Sequence, residues 1–425
     1  MTLPEEFLQS TKALMGDSLY DRFMAALGEE PPVSIRLNPM KADVGCSTRC
    51  ESVPWCEYGL YLAGRPKFTF DPLFHAGCYY VQEASSMFVY YVVRHILNDG
   101  SSWLVPSGVS PVRVLDLCAA PGGKSTAMLS ALPEGSMLVS NEPMRPRAAV
   151  LSENMQKWGR GLEMPLNCFV TNNYARDFAR QSASLQFDII LCDVPCSGEG
   201  MFRKDPEAIG EWSVQNVERC WRLQREIVDD IWPCLRPGGI MIYSTCTFNV
   251  KENEANVRWI MEHLDADIVE VPVAAEWNIC GSLLPGFEEP VYRFIPGMTR
   301  GEGLFMAVLR RRGNGDMQRT QRREKAEREV AKALGRLNVV SAVDETPDGV
   351  ARYELSYPMA LAYLRREALV LPPEVPRGIV VVTFHGHPLG MVKNIGSRAN
   401  NLYPKEWAIK TSHLPDCYEP VVGGL

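Results

Sequence analysis

The chain has 425 residues, an apolar content of 46% and a formal net charge of −7. This length is too great for one hydrophobic core, so we expect two or three domains. The acidic charge weighs against nucleic-acid binding over the whole surface but not against a local basic region. The sequence shows no signal peptide and no apolar run of about eighteen residues, the length of a membrane span. Thirteen irregularly spaced cysteines indicate reduced thiols, so we expect a cytoplasmic protein with no membrane partner.

Residues 1–75 are predicted to form a small leading α+β module. Apolar residues between Phe7 and Leu27 are spaced as on two short amphipathic helices. The stretch SIRLNPMK at 34–41 then predicts a strand. Its two cations, Arg36 and Lys41, are interpreted on their own as solvated surface charge.

Three cysteines of this module, Cys46, Cys50 and Cys56, raise the question of a metal site. Their spacing is not the C-x2-C of a zinc site, and a fourth ligand would have to come from His75 or Cys78. We therefore expect no metal.

The second predicted unit covers residues 76–310. A helix beginning near Gln82 leads into its sheet, and the first strand of that sheet is followed by a glycine-rich turn. The strand at 112–117 runs into CAAPGGKS at 118–125, and a helix follows. Gly122 and Gly123 let the backbone approach a ligand closely, and the helix N-terminus favours an anion. The glycine spacing matches neither a dinucleotide nor a Walker motif. It suits the amino-acid carboxylate of S-adenosylmethionine better than a pyrophosphate.

An acid, Glu142, ends the next predicted strand at 137–142. A carboxylate at this position can accept hydrogen bonds from both ribose hydroxyls of an adenosine cofactor. The alternative is an acid that merely starts the following helix at 145–158, and we favour the ribose role. A third strand at 166–171 is followed by Asn172, Asn173 and Tyr174, close to where an adenine would lie.

Two cysteines follow the next two predicted strands. The strand that begins at Asp188 continues into DVPCSG at 193–198, and after a helix at 213–235 the strand at 239–243 continues into STCT at 244–247. Carboxyl ends of parallel strands meet at one sheet edge, where ligands bind. A single cysteine is usually a small buried hydrophobe. Cys196 and Cys246 occupy matching positions, which favours a chemical role for both.

The remaining elements of this unit are predicted as a helix at 252–264 and strands at 267–271, 291–295 and 304–310, the last two forming an antiparallel hairpin. Strands that alternate with helices predict a parallel, doubly wound sheet.

Three motifs carry a resemblance to a known family: DLCAAPGGKS at 116–125, CDVPCSGEGMFRKDP at 192–206 and STCTFNVKENE at 244–254. With weaker matches at 34–41 and 79–87, the chain resembles the RNA cytosine-5 methyltransferases of the NOL/NOP/Sun family, most closely their bacterial RsmF-like branch. The resemblance implies a Rossmann-like methyltransferase core with a seven-stranded, mostly parallel sheet. It also implies S-adenosylmethionine as cofactor. The implied partner is 16S ribosomal RNA in the small subunit or an assembly intermediate, bound by a monomeric enzyme.

The resemblance also implies roles for particular residues. Cys246 would be the nucleophile and Cys196 the second thiol, which helps to release the product. The implied cofactor contacts are Cys118, Ala119, Ala120, Pro121, Gly122, Gly123, Lys124, Glu142 and Asp193. Two positions depart from the family pattern: Val194 replaces an alanine, and Tyr174 replaces an aspartate that contacts the cofactor. If the loop is shifted by one residue, Asn173 takes that place.

The chemistry accounts for these residue types independently. Carbon 5 of cytosine is a poor nucleophile, but a thiolate that adds to carbon 6 makes an enamine whose carbon 5 can attack a sulfonium methyl group. A free thiol has a pKa of about 8.5, but the attacking form is the thiolate. A nearby cation, Lys124 or Arg203, is therefore expected to lower the pKa of the thiol. Asp193 would hydrogen-bond the N3/N4 edge of the base. The target base must be unpaired or flipped out.

The composition changes beyond Leu309. Residues 310–336 carry ten Lys/Arg and four Asp/Glu, and 311–338 is interpreted as a basic linker that is either a solvated helix or a phosphate contact. Residues 339–425 are predicted to form a small domain with a strand at 378–384, a turn at 385–390 and a return strand at 391–394. This domain resembles the PUA-like RNA-binding domains of RsmF-type enzymes. His385 and His387 lack further partners for a metal.

Three alternatives remain at this stage. The same chemistry could act on tRNA. A DNA cytosine-5 methyltransferase would use Cys196 as nucleophile, but the chain lacks the Glu-Asn-Val segment of those enzymes and Cys246 would be unexplained. A non-catalytic ribosome-assembly factor would not require both thiols and the glycine turn.

Overall fold

The computed structural model describes residues 2–42, 50–98, 111–161, 167–313, 323–343, 349–411, 413–415 and 417–421, without the side chains of 323–326. Cys46, Leu166 and the middle of the basic linker lie outside these ranges.

The N-terminal module is a long helix beside a four-stranded antiparallel sheet of order β2-β3-β1-β4. Its elements are α1 (Glu5–Leu27), β1 (Val33–Leu37), β2 (Glu51–Val53), β3 (Cys56–Leu62), α2 (Pro72–His75) and β4 (Tyr79–Val81). Gly16 divides the long α1 into the two predicted helices. Its backbone is non-helical (φ 69°, ψ 168°), a conformation that glycine adopts without steric cost.

The interpretation of Arg36 and Lys41 as solvated surface charge is wrong. Arg36 is fully buried, donates to Gln82 Oε1 at 2.8 Å and Thr126 Oγ1 at 2.6 Å, and lies 4.4 Å from the ring of Trp158. Burial lowers the pKa of Arg36 to about 10. The Lys41 ammonium donates to two backbone carbonyls at 2.7 and 2.8 Å. Both cations lie where β1 packs against the following domain, a contact between distant segments that a local pattern cannot reveal.

The central domain is a sheet with helices on both faces. Its first elements are α3 (Phe88–Asn98), β5 (Arg113–Asp116), α4 (Gly123–Ala131), β6 (Met137–Asn141), α5 (Arg145–Gly159), β7 (Asn167–Thr171), α6 (Ala175–Ala179) and β8 (Phe187–Asp193). It continues with α7 (Pro206–Glu211), α8 (Val214–Ile231), β9 (Leu235–Thr245), α9 (Glu254–His263), β10 (Ala266–Ile268), β11 (Tyr292–Phe294) and β12 (Leu304–Arg311). The last two of its elements are α10 (Arg323–Leu334) and β13 (Val339–Ala342).

Nine strands of the described chain form this sheet, in the order β10-β12-β9-β8-β5-β6-β7-β13 with β11 paired to β12. The five central strands are parallel, and the others are antiparallel. This confirms the predicted Rossmann-like core, including the hairpin of β11 and β12. The sheet has nine strands where seven are predicted. One of the added strands, β13, begins at Val339, in the stretch predicted to belong to the C-terminal domain.

Burial on both faces explains the unbroken apolar runs of the central strands. Ile189 and Leu191 of β8 contribute to the hydrophobic core on one face of the sheet, whereas Ile190 and Cys192 contribute to the core on the other. Packing on both faces therefore fixes the position of each strand, and the polar residues that follow it lie at the carboxyl edge of the sheet.

Helix α10 and strand β13 pack against the central sheet. Val330, Ala333 and Leu334 are buried in the core beneath it, and β13 pairs antiparallel with β7. A solvated helix does not describe this part of the predicted linker, because one face of α10 is apolar and covered.

The C-terminal domain contains β14 (Ala351–Glu354), α11 (Tyr357–Leu364), β15 (Gly378–Phe384), β16 (His387–Asn394) and β17 (Ala399–Asn401), in the order β14-β15-β16-β17. The turn between β15 and β16 is only His385–Gly386, shorter than predicted. Both residues have positive φ, 50° and 78°, the two-residue geometry that matches the twist of a hairpin.

The N-terminal module and the C-terminal domain share one hydrophobic core. Ile35 and Leu60 of the module are buried in the same cluster as Leu361 and Val380 of the C-terminal domain. Neither domain is therefore a separate body on a flexible tether. Within the described ranges, none of the helices has the length and apolar character needed to cross a membrane.

Candidate active site

The two predicted strand-end thiols lie side by side at the carboxyl edge of the sheet. Cys196 follows β8 and Cys246 follows β9, and their sulfur atoms are 3.2 Å apart. Both line a cavity of about 310 Å³, together with Cys118, Asp193 and Arg147. The parallel pairing of β8 and β9, in which Asp193 lies opposite Ser244, accounts for this proximity.

The backbones of the two thiol-bearing loops are bonded to each other. Gly200 N donates to the carbonyl of Cys246 at 2.8 Å, and Val194 N donates to the carbonyl of Ser244 at 3.1 Å. A Cβ at position 200 would lie 2.6 Å from the carbonyl oxygen of Cys246. Glycine at this position is therefore a requirement of the close approach of the two loops.

Two buried carboxylates, Glu199 and Glu252, complete the scaffold of these loops. Glu199 Oε2 accepts from the backbone N–H groups of Phe248 and Asn249 at 2.7 and 3.0 Å. Glu252 Oε2 accepts from Ser197 N at 3.0 Å, and burial raises the pKa of Glu252. Each acid thus extends from one thiol loop to the other. Neither was predicted as a site residue, although both lie within the matched motifs.

Asp193 and Lys124 form an ion pair beside the thiols. Lys124 Nζ lies 2.8 Å from Asp193 Oδ2, and Ser244 Oγ donates to Asp193 Oδ1 at 2.8 Å. Burial opposes the charge of Lys124, but the adjacent carboxylate outweighs it and raises the pKa of Lys124. The lysine therefore remains cationic, and its charge also acts on Cys246.

The thiol of Cys196 is held in its protonated form. The hydrogen bond with Cys246, followed by burial, raises the pKa of Cys196 well above its ordinary value. The two sulfur atoms lie within hydrogen-bonding distance, and either sulfur can be the donor.

Arg203 does not have the predicted role of a cation beside the thiol. Its guanidinium forms two hydrogen bonds to Glu302, at 2.9 and 3.0 Å, and others to the carbonyls of Ala26 and Gly301. These partners tie the segment after Cys196 to α1 and to the start of β12. The charge of Arg203 is neutralised locally, so its role is to anchor the loop.

The glycine turn lies at the end of β5, next to the thiols. Gly122 adopts φ 113°, and α4 begins directly after it, so the helix N-terminus faces the sheet edge. The carbonyl of Pro121 accepts from Asn154 Nδ2 at 2.8 Å and Tyr80 OH at 3.1 Å. Residues 118–124 therefore form a braced cradle of backbone groups.

Glu142 is buried at the end of β6 with one oxygen available. Its Oε1 accepts from Met144 N at 3.0 Å. Its Oε2 has no hydrogen-bond partner in the described part of the chain, although the Arg147 guanidinium lies 3.3 Å away. An available carboxylate oxygen next to a glycine cradle fits the ribose of S-adenosylmethionine, and the cradle fits its amino-acid carboxylate.

The structure places Asn173 at the end of β7 but does not leave its amide free for a ligand. Asn173 Oδ1 accepts from Asn338 N at 3.0 Å, and Asn173 Nδ2 donates to the carbonyl of Asn338 at 3.3 Å. Tyr174, the other position that the resemblance aligns with an aspartate, is 55% exposed. No acid occupies positions 172–174.

The metal candidates within the described ranges, which leave out Cys46, do not form a set of metal ligands. His75 is buried with its Nε2 2.8 Å from the carbonyl of Thr69. In the residues that the structure describes, no group of three or more His, Cys, Asp or Glu side chains could hold a metal ion.

Asp116, at the end of β5, is a second buried acid with an available oxygen. Its Oδ2 accepts from Ser125 Oγ at 2.6 Å, whereas its Oδ1 has no partner within the described ranges. Burial raises the pKa of Asp116 to about 7. The folded protein therefore keeps this proton to about pH 7, whereas the unfolded chain releases it near about pH 4.

Because the folded state binds more protons over this interval, Asp116 makes stability fall as the pH rises. We expect the free energy of unfolding of the wild type to decline, relative to that of Asp116→Asn, between about pH 4 and pH 7, by at most about 4 kcal/mol. Above that range, the difference in free energy of unfolding between the two proteins should stay constant. Urea denaturation of both proteins from about pH 4 to about pH 8 measures it. Parallel pH dependence of the two proteins would contradict the elevated pKa.

Comparisons with protein families agree with this geometry. Residues 104–310 match the family described as 16S rRNA methyltransferase RsmB/F. Residues 3–84 match the N-terminal domain of 16S rRNA methyltransferase RsmF, and residues 350–409 match the methyltransferase RsmF PUA domain. Ribosomal RNA small subunit methyltransferase F proteins of Shigella boydii serotype 4 (strain Sb227) and Escherichia coli O81 (strain ED1a) are each 30% identical to this chain. Each match covers 95% of this chain and 96% of the relative.

Solved structures show the same fold. The crystal structure of PH0851 has a TM-score of 0.60 at 24% identity, covering 72% of this chain and 66% of that chain. The structure of NSun6 from Pyrococcus horikoshii with SFG has a TM-score of 0.56 at 21% identity, covering 72% of this chain and 98% of that chain. At these identities the likeness concerns the fold alone.

The mostly parallel sheet with a glycine turn after β5 is that of an S-adenosylmethionine-dependent methyltransferase, and the family matches make it an RNA methyltransferase. The chain belongs to the ribosomal RNA small subunit methyltransferase F family. This confirms the family, the cofactor and the PUA domain that the sequence motifs predict.

Proposed function

We propose that this protein transfers a methyl group to carbon 5 of a cytosine in 16S ribosomal RNA, with Cys246 as nucleophile and Cys196 as the group that enables product release. The observation that carries the proposal is the contact between the two thiols, whose sulfur atoms lie 3.2 Å apart, beside the Asp193–Lys124 ion pair. Ribosomal RNA is the substrate named for the relatives. Methylation of tRNA by the same chemistry is the second candidate.

The first step in this proposal is attack of the Cys246 sulfur on carbon 6 of the cytosine. In this proposal the Cys196 thiol, 3.2 Å away, donates to this sulfur, and the charge of Lys124 acts on it. A hydrogen-bond donor and a cation are groups that stabilise an attacking thiolate. A carbon–sulfur bond forms, and the electrons of the carbon 5–carbon 6 double bond move toward the N3/N4 edge of the ring. Asp193 would hold that edge by hydrogen bonds, and its own geometry is fixed by Ser244.

Bound S-adenosylmethionine supplies the methyl group that carbon 5 takes up. The chain must then remove the proton from carbon 5 so that the carbon 6–sulfur bond can break. Once the Cys246 sulfur is bonded to carbon, it no longer accepts the hydrogen bond that raises the pKa of Cys196. Cys196 therefore becomes easier to deprotonate at the stage where a base is needed, either directly or through a water that it positions.

The decisive experiment is to incubate the full-length protein with isotopically labelled S-adenosylmethionine and 16S ribosomal RNA lacking 5-methylcytosine, as free RNA and in small subunits. Mass spectrometry of the digested nucleosides should find labelled 5-methylcytidine in one of these substrates. A parallel reaction with unmodified tRNA tests the second candidate. Labelled methyl groups on another atom or another base would refute the cytosine-5 chemistry.

A cluster of uncompensated cations on the C-terminal domain supports RNA binding there. Arg377, Lys393 and Arg398 are exposed at one end of the β15–β16 hairpin, next to the exposed side chains of Ile379 and Ile395. None of the three cations forms an ion pair within the described residues. We call this group the basic strip and propose that it contacts RNA phosphates.

Replacing the three cations of the basic strip by alanine should weaken RNA binding and flatten its salt dependence. If all three contact phosphates, the slope of log K against log salt concentration should decrease by about 2 to 3. Fluorescence titration of labelled RNA at several salt concentrations measures both quantities.

A matched control removes the same charge elsewhere. Lys12, Arg180 and Arg312 are already paired with Asp17, Asp177 and Asp267, respectively, so their triple replacement by alanine should change the slope little. Equal effects of the two triple variants would show that only net charge matters. Removing the whole C-terminal domain is a poorer test, because it would uncover the core shared with the N-terminal module.

A further inference from the structure

The adenosine side of the cofactor site lacks the acid that the family pattern supplies, and the segment entering the C-terminal domain closes this side. Asn338 lies between α10 and β13. Its backbone N–H and C=O form a reciprocal pair with the side-chain amide of Asn173, and its C=O also accepts from Asn172 N at 2.9 Å. The loop after β7 is thereby bonded on its outer side.

The same loop is bonded to the strand ends on its inner side. Asn141, which ends β6, donates through Nδ2 to the carbonyls of Asn173 and Leu117, each at 2.9 Å. Asn141 Oδ1 accepts from Asn173 N at 3.0 Å. Asn172 Nδ2 donates to the carbonyl of Glu142 at 2.8 Å. The network thus reaches from the glycine cradle to the ribose-binding acid.

Asn338 is held in place independently of this network. Leu334 and Leu337, just before it, are buried in the core under the sheet, and β13, just after it, pairs with β7. The available Oε2 of Glu142 therefore belongs to a loop system whose outer support comes from the chain that leads into the C-terminal domain.

We propose that Asn173 is a positioning residue for the adenosine half of S-adenosylmethionine, acting through its pair with the Asn338 backbone, and not a residue that contacts the adenine. The pair fixes the loop after β7 and, through Asn172 and Asn141, the backbone that carries Glu142. The connection to the C-terminal domain is thus part of the cofactor site. This inference rests on the binding of S-adenosylmethionine, and it holds whichever atom of the RNA is methylated.

The test measures binding by calorimetry, with S-adenosylhomocysteine and with 5′-methylthioadenosine, which keeps the adenosine but lacks the amino-acid part. Asn173→Ala removes the pair from one side, and Asn338→Pro removes the N–H from the other. Each should raise the Kd by about ten-fold for both ligands. The double variant should be no worse than either single variant, because the two residues form one unit.

Ser341→Ala is the matched control in the same edge strand. Ser341 Oγ lies 2.6 Å from Ser152 Oγ and connects β13 to α5, and Ser341 pairs with Val170 within β7. Its replacement should leave both Kd values unchanged. A loss of affinity equal to that of Asn173→Ala would show that the edge strand matters only as a whole. Thermal melting of every variant identifies loss of folding.

Asn173→Asp separates positioning from direct contact. A carboxylate would place an oxygen opposite the Asn338 carbonyl, which now accepts from Asn173 Nδ2, so the positioning role predicts weaker binding of both ligands. If position 173 contacts the adenine directly, an acid at this position should strengthen binding. Tighter binding by Asn173→Asp, or wild-type affinity of Asn173→Ala, would overturn the proposal.

Discussion

Replacing Cys246 by alanine is expected to abolish methyl transfer, with a loss of at least about 10³-fold, of the order seen when a nucleophile is removed from other enzymes. Without the sulfur, no bond to carbon 6 can form, and carbon 5 stays unreactive. No covalent protein–RNA species should appear. Affinity for S-adenosylhomocysteine should be preserved, because the cradle at 118–124 and Glu142 belong to other strands. Transfer of labelled methyl groups and denaturing gels measure these effects.

Cys220→Ala is the control for loss of a nearby buried thiol. Cys220 lies on α8, and its Sγ donates a long hydrogen bond to Asn216, not to either thiol loop. This variant should keep most of the activity. Substantial methyl transfer by Cys246→Ala would remove Cys246 from the role of nucleophile.

Replacing Cys196 by alanine is expected to trap the enzyme on its RNA. The Cys246 sulfur can still add to carbon 6, but Cys196, the proposed base for the step after methyl transfer, is missing. Turnover should fall by about 10²- to 10⁴-fold, the contribution typical of a positioned acid or base. A protein–RNA species should survive denaturing electrophoresis and should be absent from the Cys196→Ala, Cys246→Ala double variant.

Cys196→Ser distinguishes two functions of this thiol. A serine hydroxyl can donate a hydrogen bond to the Cys246 sulfur but is a very poor proton acceptor near neutral pH. If Cys196 acts as the base, the serine variant should also accumulate the adduct. If only donation matters, it should turn over like the wild type. Trapping by Cys246→Ala instead would reverse the two roles and favour the arrangement of DNA cytosine-5 methyltransferases.

Much of the fold could be predicted from local patterns. The apolar runs of β8 and β9 identify strands buried on both faces, and the glycine turn marks the junction of β5 and α4. Since parallel strands end at one edge, the same patterns predict that Cys196 and Cys246 meet. The hairpin turn is predicted less accurately, since the pattern predicts a turn at 385–390 and the structure has one at His385–Gly386. The length of this turn depends on the backbone conformation of its two residues, which the polarity of the six-residue stretch does not determine.

The residues that support the site cannot be predicted from local patterns. Glu199 and Glu252 lie in the matched motifs, but their partners are the backbone groups of the opposite loop, about 50 residues away. Arg203 has the charge expected of a thiol activator, yet Glu302 neutralises it. A side chain shows its residue type in the sequence, whereas its partner is fixed only when two distant segments pack together.

The sequence by itself determined the order of strands and helices, the glycine cradle and the strand-end position of both thiols. These depend on the periodicity of apolar residues and on backbone preferences, which act within a few residues. Only the tertiary structure decided that Arg36 is buried, that the sulfur atoms of Cys196 and Cys246 lie 3.2 Å apart and that Asn338 holds the loop after β7. Each of these depends on a contact between segments at least 50 residues apart, or on burial that such contacts create. Burial sets the pKa and the hydrogen-bonding demands of a group, and no local pattern contains it.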